Sequence, residues 1–378
     1  MTKGLLERLA EGPILGDGGY LLELEKRGYV RGGPFTPEVS LTHPEALVQL
    51  HREFLQAGAD VLQALTFYAS EEKLRTVGLG GQVDAINRAA VEIARSVAKE
   101  GDALVAGNLS LTWAYDPKDP ASPDRVRALF DRQLEVQMAA GIDFVVGETF
   151  TWLGEALIAA ERAKRTGLPV MITMSYEKAP QAFEGDGPGE CARKLVAAGV
   201  DVVGVNCLRD PKHTLPLAAE MRAAVPGAFI ATQPTAYRTP DDQPDFTSLP
   251  EFPFGLDPLQ LTRADMAVYA RDARARVSAT SAPAADRWPS TSARWRARSA
   301  SCRSTTIARG SRDTTSRCPR TSTTGTRPTG SDRGRCRTGA DPHRRLLPLG
   351  GDLPAGVRAD LLPRVGLRRP RRAAGARR

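Results

Sequence analysis

The sequence predicts an α/β fold in which a parallel sheet forms a (β/α)8 TIM-type barrel without its eighth strand. Between residues 13 and 273, seven short apolar runs alternate with longer amphipathic segments. The runs are rich in β-branched residues, which is typical of strands buried on both faces. A doubly wound sheet is the alternative, but Gly16-Asp-Gly-Gly19 lacks the spacing of a dinucleotide fingerprint. Seven repeats are one short of a closed barrel.

Each element follows from its local pattern of apolar residues. The predicted strands are residues 13–16, 60–67, 103–108, 143–148, 169–175, 201–207 and 228–233. The predicted helices are residues 43–56, 82–99, 125–140, 154–165, 189–198, 211–224 and 262–273. Thr42 and Thr262 are suited to be N-caps of the first and last of these helices.

The composition changes after residue 273, which predicts two domains, 1–273 and 274–378. The second segment holds 25 Arg, 6 Asp and no Lys or Glu, so its net charge is +19, whereas the remainder carries −11. It also lacks Gln, Asn, Phe, Tyr and Met after Arg274. Such a composition buries too little apolar surface to offset chain entropy, so we expect a mostly disordered, low-complexity tail.

Two explanations of the tail remain open. One is an Arg-rich arm that binds nucleic acid. The other is a GC-rich coding sequence read in the wrong frame. When the third base of each codon from Arg276 to Asp286 is grouped with the next two bases, the shifted frame can read Gly-Val-Arg-Tyr-Ile-Gly-Ala-Cys-Cys-Gly. This is a well-formed eighth strand that ends in a cysteine pair, at the one place where the fold lacks a strand.

Candidate site residues lie at the carboxyl ends of the predicted strands, where barrel active sites are found. They are Asp17, Tyr68, Asn108, Glu148, Asn206 and Cys207. Cys207 is a candidate nucleophile or soft-metal ligand, and the alternative is a buried structural thiol. Glu148 either binds a substrate ammonium or forms a salt bridge, and Asp17 either accepts from a ligand or caps its turn. Tyr68 lines a pocket or covers the barrel end.

Other groups have structural explanations. His43 and His51 are expected at the surface of a helix or at its N-terminus, and Cys191 in a helix core. The five Cys do not fall into a disulfide framework for so long a chain. No stretch has the apolar length of a membrane span, and the N-terminus lacks the apolar core of a signal peptide. We therefore expect a cytoplasmic protein with no membrane partner and no specific nucleic-acid partner.

Several motifs together resemble the homocysteine S-methyltransferase family, and within it the betaine–homocysteine branch. They are Gly16-Asp-Gly-Gly19, Leu24-Glu-Lys-Arg-Gly-Tyr-Val30, Gly33-Pro-Phe-Thr-Pro-Glu38, Thr66-Phe-Tyr-Ala-Ser70, Pro188-Gly-Glu-Cys191, Gly204-Val-Asn-Cys207 and Leu249-Pro-Glu-Phe-Pro-Phe-Gly255. The resemblance covers about residues 11–273 and then stops. It implies a (β/α)8 barrel that transfers a methyl group from a cationic donor to homocysteine and forms methionine.

The resemblance also implies a role for individual residues. Zinc is expected to be bound by three Cys thiolates, of which Cys207 matches the first, and to hold the homocysteine sulfur as a thiolate. Asp17 and Gly18 match the homocysteine-binding turn, and Glu148 matches the carboxylate that binds the amino-acid ammonium. Tyr68 and Phe35 match positions that line the donor pocket. Asn206 belongs to the Gly-Val-Asn-Cys motif, and we expect it to contribute to substrate binding.

Two departures from the family pattern affect function. The betaine enzymes carry Trp, the aromatic side chain that best binds a trimethylammonium group, where Phe35 stands. Phe35 weakens the argument for betaine itself, so the expected donor is betaine or a related methylated onium compound. The second and third zinc thiolates are not encoded, since Cys302, Cys318 and Cys336 lack metal-ligand spacing. We therefore expect an impaired or inactive zinc-dependent methyltransferase, in which homo-oligomers are doubtful. The alternative is a catalytically dead barrel fragment whose basic tail binds polyanions non-specifically.

The frameshift hypothesis predicts the result of resequencing the DNA around codons 270–290. A one-base slip is expected, and its correction should restore Gly-Ala-Cys-Cys-Gly after the last helix. A clean read that reproduces the present tail would contradict the hypothesis and favour a genuine Arg-rich arm.

Overall fold

A computed structural model describes residues 3–30 and 37–277. Their central element is a six-stranded parallel sheet in which the strands lie in the order of the sequence, β1 to β6. Helices connect consecutive strands, as parallel pairing requires. The architecture confirms the predicted incomplete barrel. The predicted tail, residues 274–378, lies outside the described residues except for its first four positions.

The strands are β1 (Val61–Gln63), β2 (Leu104–Ser110), β3 (Phe144–Phe150), β4 (Val170–Met174), β5 (Val202–Asn206) and β6 (Phe229–Gln233). The register brings the carboxyl ends together: Ser110 pairs with Glu148, and Asn206 pairs with Gln233. A register shift between Gly147 and Phe150 marks the end of β3. Polar residues that end neighbouring strands therefore lie at one edge of the sheet.

The helices are α1 (Leu5–Glu11), α2 (Leu21–Lys26), α3 (Val39–Thr42), α4 (Pro44–Ala57), α5 (Glu71–Arg75), α6 (Val83–Ala98), α7 (Ser122–Ala140), α8 (Leu153–Lys164), α9 (Pro188–Ala197), α10 (Pro211–Ala224) and α11 (Arg263–Val277). The seven predicted helices correspond to α4 and α6 to α11. None of the helices in the described residues is long and apolar enough to cross a membrane.

The two faces of the sheet pack into different apolar clusters because side chains alternate along a strand. In β3, Val145 contributes to the outer cluster, where the helices pack. Phe144 and Val146 contribute to the inner cluster, together with Val61 of β1 and Val202 of β5. Leu5 of α1 joins this inner cluster, so α1 covers the amino ends of the strands.

The predicted first strand is wrong. Residues 13–16 are extended but form no strand. Leu15 is held by two contacts to Asp60: its carbonyl accepts from the Asp60 amide at 2.8 Å, and its amide donates to Asp60 Oδ2 at 2.8 Å. The side chain of Asp60 thus takes the place of one backbone acceptor of a strand pair. Pro13 has no N–H that could donate to a neighbouring strand. The second predicted strand is also shorter than expected, since β1 ends at Gln63.

One of the two predicted N-caps is confirmed. The Thr262 hydroxyl accepts from the Asp265 amide at 3.2 Å, and Asp265 Oδ2 accepts from the Thr262 amide at 2.6 Å, which is a reciprocal capping pair. Thr42 is not a cap, because it ends α3 and His43 occupies the N-cap position of α4. The last helix continues beyond residue 273 to Val277, which is buried.

Candidate functional site

The inner face of the sheet changes from apolar to polar at the carboxyl ends of the strands. Phe144 and Val146 face the interior, so Glu148, two residues later, lies on the same face. Alternate side chains of a strand share a face. Gln63 therefore lies on the same face as Val61 in β1, and Asn206 lies on the same face as Val202 in β5. Asn108 takes the corresponding place in β2, and Gln233 in β6. One carboxylic acid and four side-chain amides thus lie on the inner face at the carboxyl ends of the strands.

Glu148 is the centre of this layer. Its Oε1 accepts from Gln63 Nε2 at 2.7 Å and from Asn108 Nδ2 at 2.5 Å. Its Oε2 accepts from Asn206 Nδ2 at 3.1 Å. Burial raises the pKa of Glu148, and the amide bonds oppose this shift. The carboxylate is therefore oriented from three strands and remains able to bind a cation.

Asn206 is oriented by its own neighbours. Its Oδ1 accepts from the Thr149 amide at 2.9 Å and from Thr173 Oγ1 at 2.9 Å. Both Nδ2 hydrogens therefore remain available as donors, one toward Glu148 and one toward Thr149 Oγ1 at 2.7 Å. This network fixes the amide orientation and places the nitrogen against the carboxylate.

Asp17 is the second carboxyl group of the site. Its Oδ2 accepts from the Gln63 amide at 2.6 Å and from the Tyr20 hydroxyl. Burial is the main cause that raises the pKa of Asp17 to about 7, and the nearby Glu148 contributes in the same direction. Asp17 therefore titrates near neutrality, and a bound cation would favour its ionised form.

His51 is buried behind Asp17, so the expectation of a surface or terminal helix position is wrong. Its Nδ1 lies 3.0 Å from the Tyr20 hydroxyl, and its ring packs edge-on against Tyr20 at a centroid distance of 5.0 Å. Burial lowers the pKa of His51 to about 3. The ring is therefore neutral at pH 7 and supports the tyrosine that contacts Asp17. His43 is exposed, as expected, at the N-terminus of α4.

The two carboxyl groups have no cationic partner in the described part of the chain. Neither Asp17 nor Glu148 forms a salt bridge with a residue in 3–30 or 37–277. Buried acids are normally neutralised by protonation, by a counter-ion or by a ligand. Among the described residues, no neighbouring Lys, Arg or His therefore offsets the charge of either carboxyl group.

Cys207 follows β5 in a left-handed conformation, with φ 58°. Its amide donates to the Gln233 carbonyl at 2.9 Å, so the backbone of β6 holds the turn in place. Burial raises the pKa of the Cys207 thiol to about 12, and the negative charge of Glu148 adds to this effect. The thiol is consequently protonated at neutral pH. Cys191, by contrast, is fully buried in α9, as expected.

The described residues do not fit a zinc ion. Within residues 3–30 and 37–277, no group of three or more His, Cys, Asp and Glu side chains is placed to hold a metal. In the part of the chain that the structure describes, no second thiol is grouped with Cys207, and a catalytic zinc needs three protein ligands. The tail cysteines Cys302, Cys318 and Cys336 lie outside the described residues.

Tyr68 has φ 62°, in the left-handed region. Its amide donates to Ser110 Oγ at 2.9 Å. Burial raises the pKa of Tyr68, and Cys207 contributes to the shift as a nearby ionisable group. One face of the ring is covered by Lys73, whose Nζ lies 3.6 Å from the ring centroid. Phe35, the other predicted donor-pocket residue, lies outside the described residues.

The position of Gly18 requires a glycine, because the ring of Phe54 leaves no room for a side chain there. A Cβ built on Gly18 would lie 2.7 Å from the ring of Phe54, a rigid buried side chain of α4. Any larger residue would push the turn away from α4 and displace Asp17. Gly18 therefore positions the turn without contributing a functional group.

The structure brings together Asp17, Gly18, Asn108, Glu148 and Asn206, and Cys207 directly follows Asn206. Tyr68 is held at the end of β2 by the bond of its amide to Ser110. Gln63 and Gln233 were missed by the sequence reasoning. Their signal was the strand period of two, which places them on the same face as the apolar residues two positions earlier. Tyr20 was also missed, because a contact across a turn has no sequence signature.

The chain is similar to known proteins over most of its described length. The family model for homocysteine S-methyltransferase matches residues 14–295. Betaine–homocysteine S-methyltransferase 1 of Mus musculus is 48% identical over 284 residues, which cover 72% of this chain and 68% of that protein. The protein of the same name from Sus scrofa is 48% identical over 274 residues, which cover 69% of this chain and 96% of that protein.

A solved structure has the same fold. The metallated form of the homocysteine methyltransferase MmuM from Escherichia coli aligns with a TM-score of 0.54 at 21% identity, over 61% of this chain and 86% of that chain. At this identity the likeness concerns the fold alone.

The raised pKa of Asp17 predicts a pH-dependent stability. Because the folded-state pKa of Asp17, about 7, exceeds the ordinary aspartate pKa of 3.8, folding binds a proton between these pH values, and stability falls as the pH rises through this range. The difference in unfolding free energy between the unchanged protein and Asp17→Asn should fall by about 1.4 kcal/mol per pH unit. Urea unfolding from pH 5 to 6.5 measures it.

The control is Asp242→Asn, since Asp242 is an exposed aspartate in a loop. Its stability should run parallel to that of the unchanged protein across the same pH range. A parallel profile for Asp17→Asn as well would show that Asp17 has no raised pKa.

Proposed function

Because this chain belongs to the homocysteine S-methyltransferase family, we propose that its polar layer binds L-homocysteine and that the Glu148 carboxylate binds the substrate ammonium. The methyl group comes from betaine or a related methylated onium compound, and the product is methionine. The observation that carries the proposal is the buried Glu148 carboxylate, which three strands orient through amide donors.

The electrostatics favour an amino-acid ammonium. Glu148 and Asp17 are buried and lack salt bridges to other described residues. A cation bound between them would therefore be attracted by both carboxylates. The ammonium also has three hydrogens, which match the acceptor atoms that remain on two carboxyl groups. An ordinary salt bridge within the protein, the alternative for Glu148, would have required a Lys or Arg at this layer.

The reaction we propose is a direct displacement. The homocysteine sulfur, as a thiolate, forms a bond to the methyl carbon while the carbon–nitrogen bond of the donor breaks. The nitrogen keeps the bonding electron pair and leaves as a neutral amine, so charge is conserved. Aromatic rings favour a cationic donor, and we assign the donor pocket to the side of the site that holds Tyr68.

Forming the homocysteine thiolate is the step for which this chain is least well equipped. The family resemblance assigns its formation to zinc held by three cysteines, and zinc would supply a thiolate at neutral pH. Here Cys207 is a lone, protonated thiol in the described residues. We therefore propose that the chain retains the substrate-binding layer but is impaired in catalysis. A reducing, cytoplasmic setting suits its free cysteines, Cys191 and Cys207.

The second candidate is a catalytically dead barrel fragment whose basic tail binds polyanions. The tail's net charge of +19 favours it. The two candidates differ in their ligands: the first predicts binding of homocysteine at Glu148, and the second predicts salt-sensitive retention of nucleic acid with no amino-acid binding.

Substitution Glu148→Gln tests the ammonium contact. The amide keeps the shape but loses the charge, so binding of L-homocysteine should weaken about 10-fold or more, consistent with a charged hydrogen bond of about 1.5–3 kcal/mol. The unchanged protein should bind L-homocysteine more tightly than 4-mercaptobutyrate, which lacks the amino group. Calorimetry with both ligands measures the difference.

The matched control is Glu190→Gln, an outward-facing residue of α9 whose carboxylate bonds to Arg193. Its affinities should equal those of the unchanged protein. If Glu148→Gln keeps the preference for the amino compound, the ammonium is bound elsewhere and the proposal fails.

Metal content tests the proposed impairment. The purified 378-residue chain should hold far less than one zinc per molecule, because one thiol cannot replace three ligands. Substitution Cys207→Ser should leave this content unchanged. Near-stoichiometric zinc that disappears in Cys207→Ser would contradict the impairment and would place a complete metal site in this chain.

A further inference from the structure

Tyr20, the N-cap residue of α2, connects the site to the interior of the protein. Its side chain is buried, and its hydroxyl donates to Asp17 Oδ2. His51 Nδ1 lies 3.0 Å from the same hydroxyl, and the rings of His51 and Phe54 both pack edge-on against the tyrosine ring. Phe54 also limits the position of Gly18. Helix α4 therefore fixes both the turn that carries Asp17 and the ring that contacts it.

The two oxygens of Asp17 have different surroundings. Oδ2 accepts two hydrogen bonds, one from the Tyr20 hydroxyl and one from the Gln63 amide at 2.6 Å. No other residue within 3–30 and 37–277 donates to Oδ1. Asp17 lines a groove of about 270 Å3 inside the curled sheet, together with Gln63 and Gln233. Oδ2 therefore holds the side chain in place, and Oδ1 is the oxygen that can contact a ligand.

The number of available hydrogens fixes the direction of the hydrogen bonds from His51 to Asp17. An ionised Asp17 can only accept, so the single hydroxyl hydrogen of Tyr20 points to Oδ2. His51 then donates to Tyr20 from Nδ1. Burial lowers the pKa of His51 to about 3, so the ring is neutral and its Nε2 carries no hydrogen. Nε2 has no hydrogen-bond partner in the described residues, so no acceptor there favours the other tautomer.

We propose that Tyr20 and His51 are positioning residues for homocysteine, which hold Asp17 as an oriented carboxylate with Oδ1 directed to the substrate ammonium. This role rests on the function proposed above, since it requires that Asp17 contacts the substrate. Asp17 is faced by Tyr20 from α2, by His51 of α4 behind it, by Glu148 of β3 and by the uncharged amide of Gln63 in β1. Burial and Glu148 oppose the ionised form of Asp17, whereas the Tyr20 hydroxyl favours it. Tyr20 therefore helps to set the pH range in which the site binds its substrate.

Substitution Tyr20→Phe removes the hydroxyl and keeps the ring that packs against α4. The midpoint of the Asp17 titration should rise by about one pH unit, because the ionised form loses a hydrogen bond. NMR of the full chain with isotope-labelled aspartate carboxyl groups measures this midpoint, and Asp17→Asn identifies the signal by removing it. The matched control is Tyr29→Phe, because Tyr29 is exposed and the loss of its hydroxyl should leave the midpoint unchanged.

Binding of L-homocysteine shows whether this titration serves the substrate. A protonated acid binds an ammonium poorly, so a one-unit shift should make Tyr20→Phe bind about 10-fold more weakly than the unchanged protein at pH 6 and about 2-fold more weakly at pH 8. The ionisation of the ligand affects both proteins equally and cancels in this ratio. A merely structural role of Tyr20 would lower the affinity by the same factor at both pH values. Calorimetry measures the ratio.

Two variants of His51 test the direction of the hydrogen bonds. An asparagine side chain places an N–H close to the position of Nδ1, and a glutamine side chain places one close to Nε2. His51→Asn should therefore keep the Asp17 midpoint of the unchanged protein, because Tyr20 still has a donor. His51→Gln should raise the midpoint, in the same direction as Tyr20→Phe.

Three results would overturn the proposal: an Asp17 midpoint that Tyr20→Phe leaves unchanged, an affinity ratio that does not depend on pH, and equal midpoints in the two His51 variants. The first and the third are measured without a ligand, so they test the contacts of Tyr20 and His51 separately from substrate binding. Absence of L-homocysteine binding to the unchanged chain would overturn the proposed function, and with it the role of Asp17 toward the substrate. Failure of the positioning role can thus be told from failure of the proposed function.

Discussion

A buried carboxylate held by amides is the interaction on which the site depends. Removing an ionised carboxylate from water costs several kcal/mol even after relaxation, and hydrogen bonds offset part of that cost. Glu148 receives these bonds from β1, β2 and β5, so its position depends on the register of strands that are far apart in sequence. A slip of one residue in any of the three would turn its amide to the outer face.

The same register explains which parts of the site were predictable. Strand ends can be read from apolar runs followed by polar residues, and this pattern selected Asp17, Asn108, Glu148 and Asn206, which the structure places in one hydrogen-bonded layer or next to it. Gln63 was not selected because the predicted strand ran on to residue 67, whereas β1 ends at Gln63. Gln233 ends β6 and carries the same signal as the selected residues, but it was overlooked. Tyr20 and His51 depend on a contact between α2's N-cap and α4, which no local pattern encodes.

The fold was predictable for a related reason. Helix–strand alternation is local and strong, so the helices and the last six strands appear close to the expected residues. The segment around Leu15 failed because a strand is defined by ladder hydrogen bonds, and here the side chain of Asp60 takes the place of a backbone partner. The pattern of apolar residues predicts which residues are buried. It does not predict which groups form hydrogen bonds with their backbone N–H and C=O groups.

The incomplete barrel connects three properties of the molecule. Within the described residues, which end at Val277 of α11, the edge of β6 has no further partner. The inner face is left as a groove, and Cys207 stands without a second thiol near it in the described residues. The polar layer does not depend on this missing element, because its contacts come from β1, β2, β3 and β5.

A crystal structure with bound L-homocysteine is the most direct test of this account. The substrate nitrogen should lie within hydrogen-bonding distance, about 2.7–3.2 Å, of the Glu148 carboxylate. The amides of Gln63, Asn108 and Asn206 should keep the positions described above. A substrate whose nitrogen contacts neither Glu148 nor Asp17 would contradict the account.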